Sequence, residues 1–257
     1  MSTGFTPDQL VAFLLVLIRV GTWVWIAPPF GGKMLPPMVR VGVSIALAVP
    51  MTPSAAQAAG SIPTTPGPLV WAAIEQVLIG GLLGLVCLTL LSAVQSAGSL
   101  IDVVGGFSMA QGFDPLLMQQ NAVMSRVYGL IAGVLLLVTG GYMVLLQGFA
   151  ATFGVLPITG TLDLATSGAT LSTALSTMVV ATLQIAAPIV GVAFLADVAL
   201  GLMSRVAPAL NAFALGFPIK IGLTLLLLAL TVPMLPPAVL GLSEQAVQAM
   251  SAITSGG

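Results

Sequence analysis

Charge is what this chain has least of. Its 257 residues include 6 lysines and arginines, 7 aspartates and glutamates and no histidine, so 5% are charged, against roughly 25% in an ordinary soluble protein. A water-facing surface cannot be built from so few ionic groups. The lack of histidine, with a single cysteine at Cys87, excludes disulfide frameworks, Cys–His nucleophiles and zinc sites. No metal or other cofactor is expected. The net charge of −1 leaves no basic patch to neutralise phosphates, so nucleic acid is excluded as a partner. Gly105-Gly106 has neither the spacing of a dinucleotide or P-loop fingerprint nor a lysine after it.

What the chain has is apolar: 58% of its residues are hydrophobic and mean hydropathy is +1.16. Six helices of about 20 residues would use roughly 120 positions. The fold class expected is an all-α integral membrane protein with about six hydrophobic helices, some short or broken, in one membrane domain over residues 1–257. Leu10–Ala27 reads as a retained first helix, with Thr6 as a candidate cap and Pro7 at its first position. No basic residue precedes it and no small-residue cleavage site follows, unlike a signal peptide. Val39–Val49 is too short to span before Pro50 and Pro53, and Met51–Pro68 has the composition of an exposed loop. Leu69–Leu91 is a full span whose helical pattern continues through Ser92–Val104. Further spans are read at Val127–Gln147, Leu171–Val198 and Phe213–Val232, with a loop near Phe153–Gly168 and a weakly amphipathic tail, Glu244–Ile253. Cys87, inside the apolar run Leu82–Leu91, reads as a small buried hydrophobe.

The basic residues Lys33, Arg40, Arg126, Arg205 and Lys220 fall on one side of six alternating spans if the amino terminus is outside, with Asp163 on the other side. Arg19, Glu75, Asp102 and Asp197 lie at membrane depth and Lys220 at the mouth of the last span. Each such charge costs about 2.5–3.5 kcal/mol on insertion scales and must face protein or water. They could form an ion path, but a relay calls for denser carboxylates, so helix or subunit contacts are the preferred reading. Asp197 and Arg205 share a helical face two turns apart, and each needs a partner elsewhere. Gly80/Gly84, Gly129/Gly133 and Ala212/Gly216 form small-residue stripes suited to close helix contact. Pro188, Pro208 and Pro218 interrupt the last runs; such breaks mark either a carrier's binding site or hairpins in a larger assembly.

Gly105–Asn121 is the most polar and broken stretch. Asp114-Pro115 is a helix-start signature. Phe107, Met109 and Phe113 supply soft apolar groups that could seal around an irregular object. An ordinary connector docked at the membrane interface fits this stretch as well.

Three sets of residues carry a family resemblance. They are Arg19-Val20-Gly21 followed by Ala27-Pro28-Pro29-Phe30-Gly31-Gly32, then Gly106-Phe107-Ser108-Met109-Ala110 with Phe113-Asp114-Pro115, and then Leu200-Gly201-Leu202-Met203-Ser204-Arg205-Val206-Ala207-Pro208. Asn211 and Gly216-Phe217-Pro218-Ile219-Lys220 continue the last. Over about residues 10–235 the chain resembles the FliR/SctT family of type III secretion export-gate proteins. The resemblance implies a FliP-like part over about 1–170 and a FliQ-like helical hairpin and tail over about 171–257. It implies a plug loop at 105–121, which nominates Gly105, Gly106, Phe107, Ser108, Met109, Phe113, Asp114 and Met118. Arg19, Glu75, Asp102, Asp197, Arg205 and Lys220 would then make subunit or helix contacts. The implied partners are FliP-like, FliQ-like, FlhB-like and FlhA-like proteins of the flagellar basal body in the bacterial inner membrane. The implied substrates are unfolded exported proteins, and the implied activity is gating rather than catalysis, powered from outside this chain. A small-molecule secondary carrier with a midplane site near Asp197, Pro188 and Pro218 is the alternative.

Overall fold

The computed structural model describes residues 7–32, 35–60, 62–63, 65–107, 123–207 and 212–256. These form an all-α integral membrane protein, with no strand among the described residues. In chain order the helices are α1 (Pro7–Ile26), α2 (Pro37–Ala59), α3 (Pro66–Val104), α4 (Val123–Val138), α5 (Gly141–Val155), α6 (Leu164–Val206), α7 (Ala212–Thr231) and α8 (Leu235–Ser255). A short 3-10 turn, Val232–Met234, precedes α8. Among the described residues five helices are long and apolar enough to cross a membrane, or six spans when the bent pair α4–α5 is taken as one.

Several boundaries differ from the sequence reading. Instead of stopping at Val49, α2 runs through Pro50 and Pro53 to Ala59, so Met51–Ala59 is helix rather than loop. Proline removes one backbone bond and crowds the preceding turn, but membrane helices tolerate it when the freed groups are covered. On this stretch Thr52 Oγ1 donates to the Ala48 carbonyl at 2.8 Å and Ser54 Oγ to the Met51 carbonyl at 2.9 Å, beside the Ala46 and Val49 carbonyls that the two prolines leave without an amide. The expected span Val127–Gln147 is two helices bent by 70°, the break falling at Gly140 with φ of 77°. The loop expected at 153–168 shrinks to 156–163, because α5 continues to Val155 and α6 begins at Leu164. The tail is a 21-residue helix with one clearly buried face, Leu235, Val239, Leu242, Ala246, Met250 and Ile253.

The chain divides into two compact units: Met1–Leu90 with Gly140–Ser176 and Gly241–Gly257, and Leu91–Thr139 with Thr177–Leu240. In the first, α1 buries Ala12, Leu15, Val16, Arg19, Val20, Trp23 and Val24, a continuous three-four stripe that Ala27 just beyond it extends. Trp23 stacks on Phe149 of α5 at 4.5 Å, and Phe149 meets Phe153 edge-on at 5.6 Å. Cys87 is buried, its Sγ 3.6 Å from Met250 Sδ. A Cβ on Gly80 would strike the Arg19 carbonyl and Thr22, and one on Gly84 would strike Ile26, so that stripe lets α1 and α3 touch. Lipid offers helices no hydrophobic incentive to associate, so this close packing is one source of their adhesion.

The second unit is looser on its outer side. Thr182 of α6 donates to the Ala93 carbonyl of α3 at 3.3 Å, and Ala186, Ile189 and Ala193 continue the buried face. The opposite face of α6 exposes Phe194, Leu195, Val198 and Leu202. The Gly129/Gly133 stripe does not make the close contact expected of it: Gly133 has open space and Gly129 only an ordinary contact with Gln95.

Candidate functional site

Two places combine polar chemistry with membrane helices. The first is the end of α3 and the start of α4. Gly98 of α3 faces the backbone of Met124 and Ser125 so closely that a Cβ would fall within 3 Å of it. Ser99 Oγ donates to Ser125 Oγ at 2.9 Å. Asp102, 2% exposed, accepts the Met124 N–H at 3.0 Å. An amide in the first turn of a helix has no carbonyl partner of its own, so a carboxylate there satisfies it and sits favourably on the helix dipole. The Gly105 N–H closes α3 on the Ile101 carbonyl at 2.7 Å, and Gly106, with φ of 84°, takes the left-handed turn that ends the helix. A Cβ on Gly105 would reach Thr224 of α7. Chain leaving α3 at Phe107 and chain entering α4 at Val123 are therefore fastened beside each other.

Of the residues nominated for the plug, Gly105 and Gly106 are buried and Phe107 is half-buried. Ser108, Met109, Phe113, Asp114 and Met118 lie outside the described residues, as do Lys33, Pro208 and Asn211.

The second place is Arg19, fully buried on α1. Its Nε donates to Gln76 Oε1 of α3 at 2.6 Å, Nη1 to the Leu156 carbonyl at 2.9 Å and Nη2 to the Pro157 carbonyl at 3.2 Å. Gln76 Nε2 in turn donates to the Ile158 carbonyl at 3.0 Å, and the guanidinium lies 4.5 Å from the centre of the Phe153 ring. The planar fork reaches acceptors on separate elements at once, which a lysine ammonium could not do. Gln76 was missed from sequence. Its signal was a lone amide on the buried face of α3, in register with Ala72, Ile79 and Leu83.

The remaining nominated charges are dispersed. Glu75 Oε2 accepts the Leu162 N–H at 3.3 Å. Asp197 of α6 pairs with Lys220 of α7, the side chains being 49% and 16% exposed respectively, so the partner that Asp197 required is on the next helix. Arg205 is exposed and has no partner among the described residues. Outside the apolar helices, Asp163 caps α6, accepting from the Ala165 and Thr166 amides at 3.0 and 3.3 Å and from the Thr166 hydroxyl. The Thr166 hydroxyl first, then the Ala165 amide, hold its carboxyl below the ordinary carboxylate range.

The match to known proteins covers nearly the whole chain. The family model for bacterial export proteins, family 1, matches residues 10–246. The chain belongs to this family. Flagellar biosynthetic protein FliR of Escherichia coli K12 is 29% identical over 236 residues, 90% of each chain. FliR of Bacillus subtilis 168 is 31% identical over 227 residues, 86% of each. Surface presentation of antigens protein SpaR of Shigella sonnei is 24% identical over 223 residues, 86% of this chain and 85% of its own. Membership of family 1 makes this chain a membrane-embedded component of a bacterial export apparatus.

Proposed function

We propose that the chain is a subunit of a flagellar type III export gate in the bacterial inner membrane, and that residues 105–121 form its plug. The observation that carries this reading is the clasp. Asp102, Gly98 and Ser99 fasten the end of α3 to the first turn of α4, so the intervening segment leaves and returns at one place on rigid helices. A loop held at both feet can project soft side chains such as Phe107, Met109 and Phe113 into a conduit and yield without being lost. Unfolded exported proteins would displace it, and ions would be held back by its apolar side chains.

The partners on this reading are FliP-like, FliQ-like, FlhB-like and FlhA-like subunits of a flagellar basal body. The region 171–257 is read as a FliQ-like hairpin and 1–170 as FliP-like. In support, Asp197 pairs with Lys220 and Leu200 faces Gly216, a near-constant sum of residue numbers that marks α6 and α7 as antiparallel. The amino terminus is placed outside and the basic residues on the cytoplasmic side. In support, Thr159 donates to the Ala59 carbonyl at 3.3 Å, which puts the connections after α2 and after α5 at the same end, as alternating spans require.

The test is ion leakage through the assembled gate. Deleting Phe107–Phe113 should make the membrane permeable to ions while export persists or loosens. Asp102→Ala should do so more weakly, and Asp102→Asn, which keeps an acceptor for the Met124 amide, hardly at all. A membrane that stays tight in a fully assembled deletion variant overturns the plug assignment.

A further inference from the structure

A cleft of about 330 Å³ opens at the end of the first unit. Ile62, Pro63 and Pro68 form apolar walls, Trp71 and Glu75 stand one turn apart on the same face of α3, and Thr161 closes the other side. Glu75 is half-buried, and the Leu162 amide bonds only its Oε2. Among the described residues its other oxygen has no partner, and no cation pairs with it. A carboxylate recessed more than two turns into an apolar helix must face water or a polar partner, and a positive charge meets it best.

We propose that this cleft receives the side chain of a lysine or arginine from a neighbouring protein subunit of the apparatus. The cavity suits such a group part by part. The aliphatic stem of a long basic side chain packs on proline and isoleucine, its charged head meets a carboxylate, and an indole face beside that carboxylate adds cation–π attraction. An anionic phospholipid headgroup fits poorly, because its phosphate would find no lysine or arginine in the lining and would face the carboxylate of Glu75. The proposal rests on the chain's place in a multi-subunit apparatus and not on the plug. A tight membrane after loop deletion would leave it standing, and its own failure would leave the plug standing.

The experiment places a photo-reactive benzoylphenylalanine at Thr161 in the assembled apparatus, in native membranes, and maps the crosslinked peptides by mass spectrometry. The expected product joins this chain to a different subunit within about one helical turn of a lysine or arginine. Glu75→Gln should cut its yield about fivefold. Glutamine still offers an oxygen to the Leu162 amide, so that loss reports charge rather than folding. Glu75→Lys should abolish the product, and converting the partner's cation to glutamate should restore it. Crosslinks confined to this chain or to lipid, or a yield unchanged in Glu75→Gln, overturn the proposal.

Discussion

Arg19 and Asp197 face the same difficulty and meet it in different ways. Each puts a charge inside an apolar helix. In the first compact unit the guanidinium is fully buried and its donors end on Gln76 and on the carbonyls of Leu156 and Pro157. No carboxylate is bonded to it among the described residues, so the charge is spread over neutral dipoles of the same chain. In the second unit the carboxylate of Asp197 is 49% exposed beside Lys220, on helices whose outer faces show Phe194, Leu195 and Leu226. The first arrangement is complete within this polypeptide. The second leaves an ion pair and an apolar face for something else to cover, as expected of a chain that works inside an assembly.

The largest effect should come from breaking the complete side. Arg19→Ala leaves Gln76 and two carbonyls buried without donors, and should cost about 3–5 kcal/mol in unfolding of the detergent-solubilised chain. Arg19→Lys keeps the charge but loses the fork, and should fall between the two. Next come the small-residue stripes. Gly80→Ala forces α1 from α3 and should cost about 1–3 kcal/mol. Gly133→Ala, in open space within α4, should be neutral or stabilising by up to about 1 kcal/mol. Thermal melts of the two variants side by side check this.

Opening the Asp197–Lys220 pair should do less. A double-mutant cycle with Asp197→Ala and Lys220→Ala should give a coupling below about 1 kcal/mol in the isolated chain. The coupling should rise in the assembled complex, where neighbours exclude water. Equal couplings in both states would mean that Asp197 and Lys220, like Arg19, are complete within this chain. The smallest effect concerns Asp163, whose folded carboxyl is held below its ordinary value. Its contribution is present above the unfolded value of about 4 and is lost as pH falls through the depressed folded value. The melting gap between wild type and Asp163→Ala should therefore be widest near neutral pH and narrow on acidification below about 4.

Much of the fold could be read directly from the residues, because α1, α3 and α7 are apolar runs with clear ends. Pro7 does start α1 and the Gly105-Gly106 pair does end α3. The prolines of α2 misled because each marks a lost backbone bond in the sequence, yet the helix runs on through both, as membrane helices tolerate. The bend at Gly140 had a signal in Thr139-Gly140-Gly141, a breaker pair that the apolar residues on either side outweighed. The nominated charges were legible as charges and not as contacts. Arg19 is held mainly by backbone carbonyls, which leave no mark in a sequence, and Asp102 by an amide 22 residues further along the chain. The family resemblance drew attention to residues 105–121 but could not reveal how Asp102 and Gly98 fasten the end of α3 to the start of α4.

As a subunit of an export gate, this chain would be completed only among other proteins. The most direct measurement is the stoichiometry of the complex extracted in mild detergent and weighed intact by native mass spectrometry. One copy of this chain with two or more different hydrophobic subunits is the predicted result. A monomer or homo-oligomer that exchanges a small solute when reconstituted alone in liposomes would contradict it and favour a carrier.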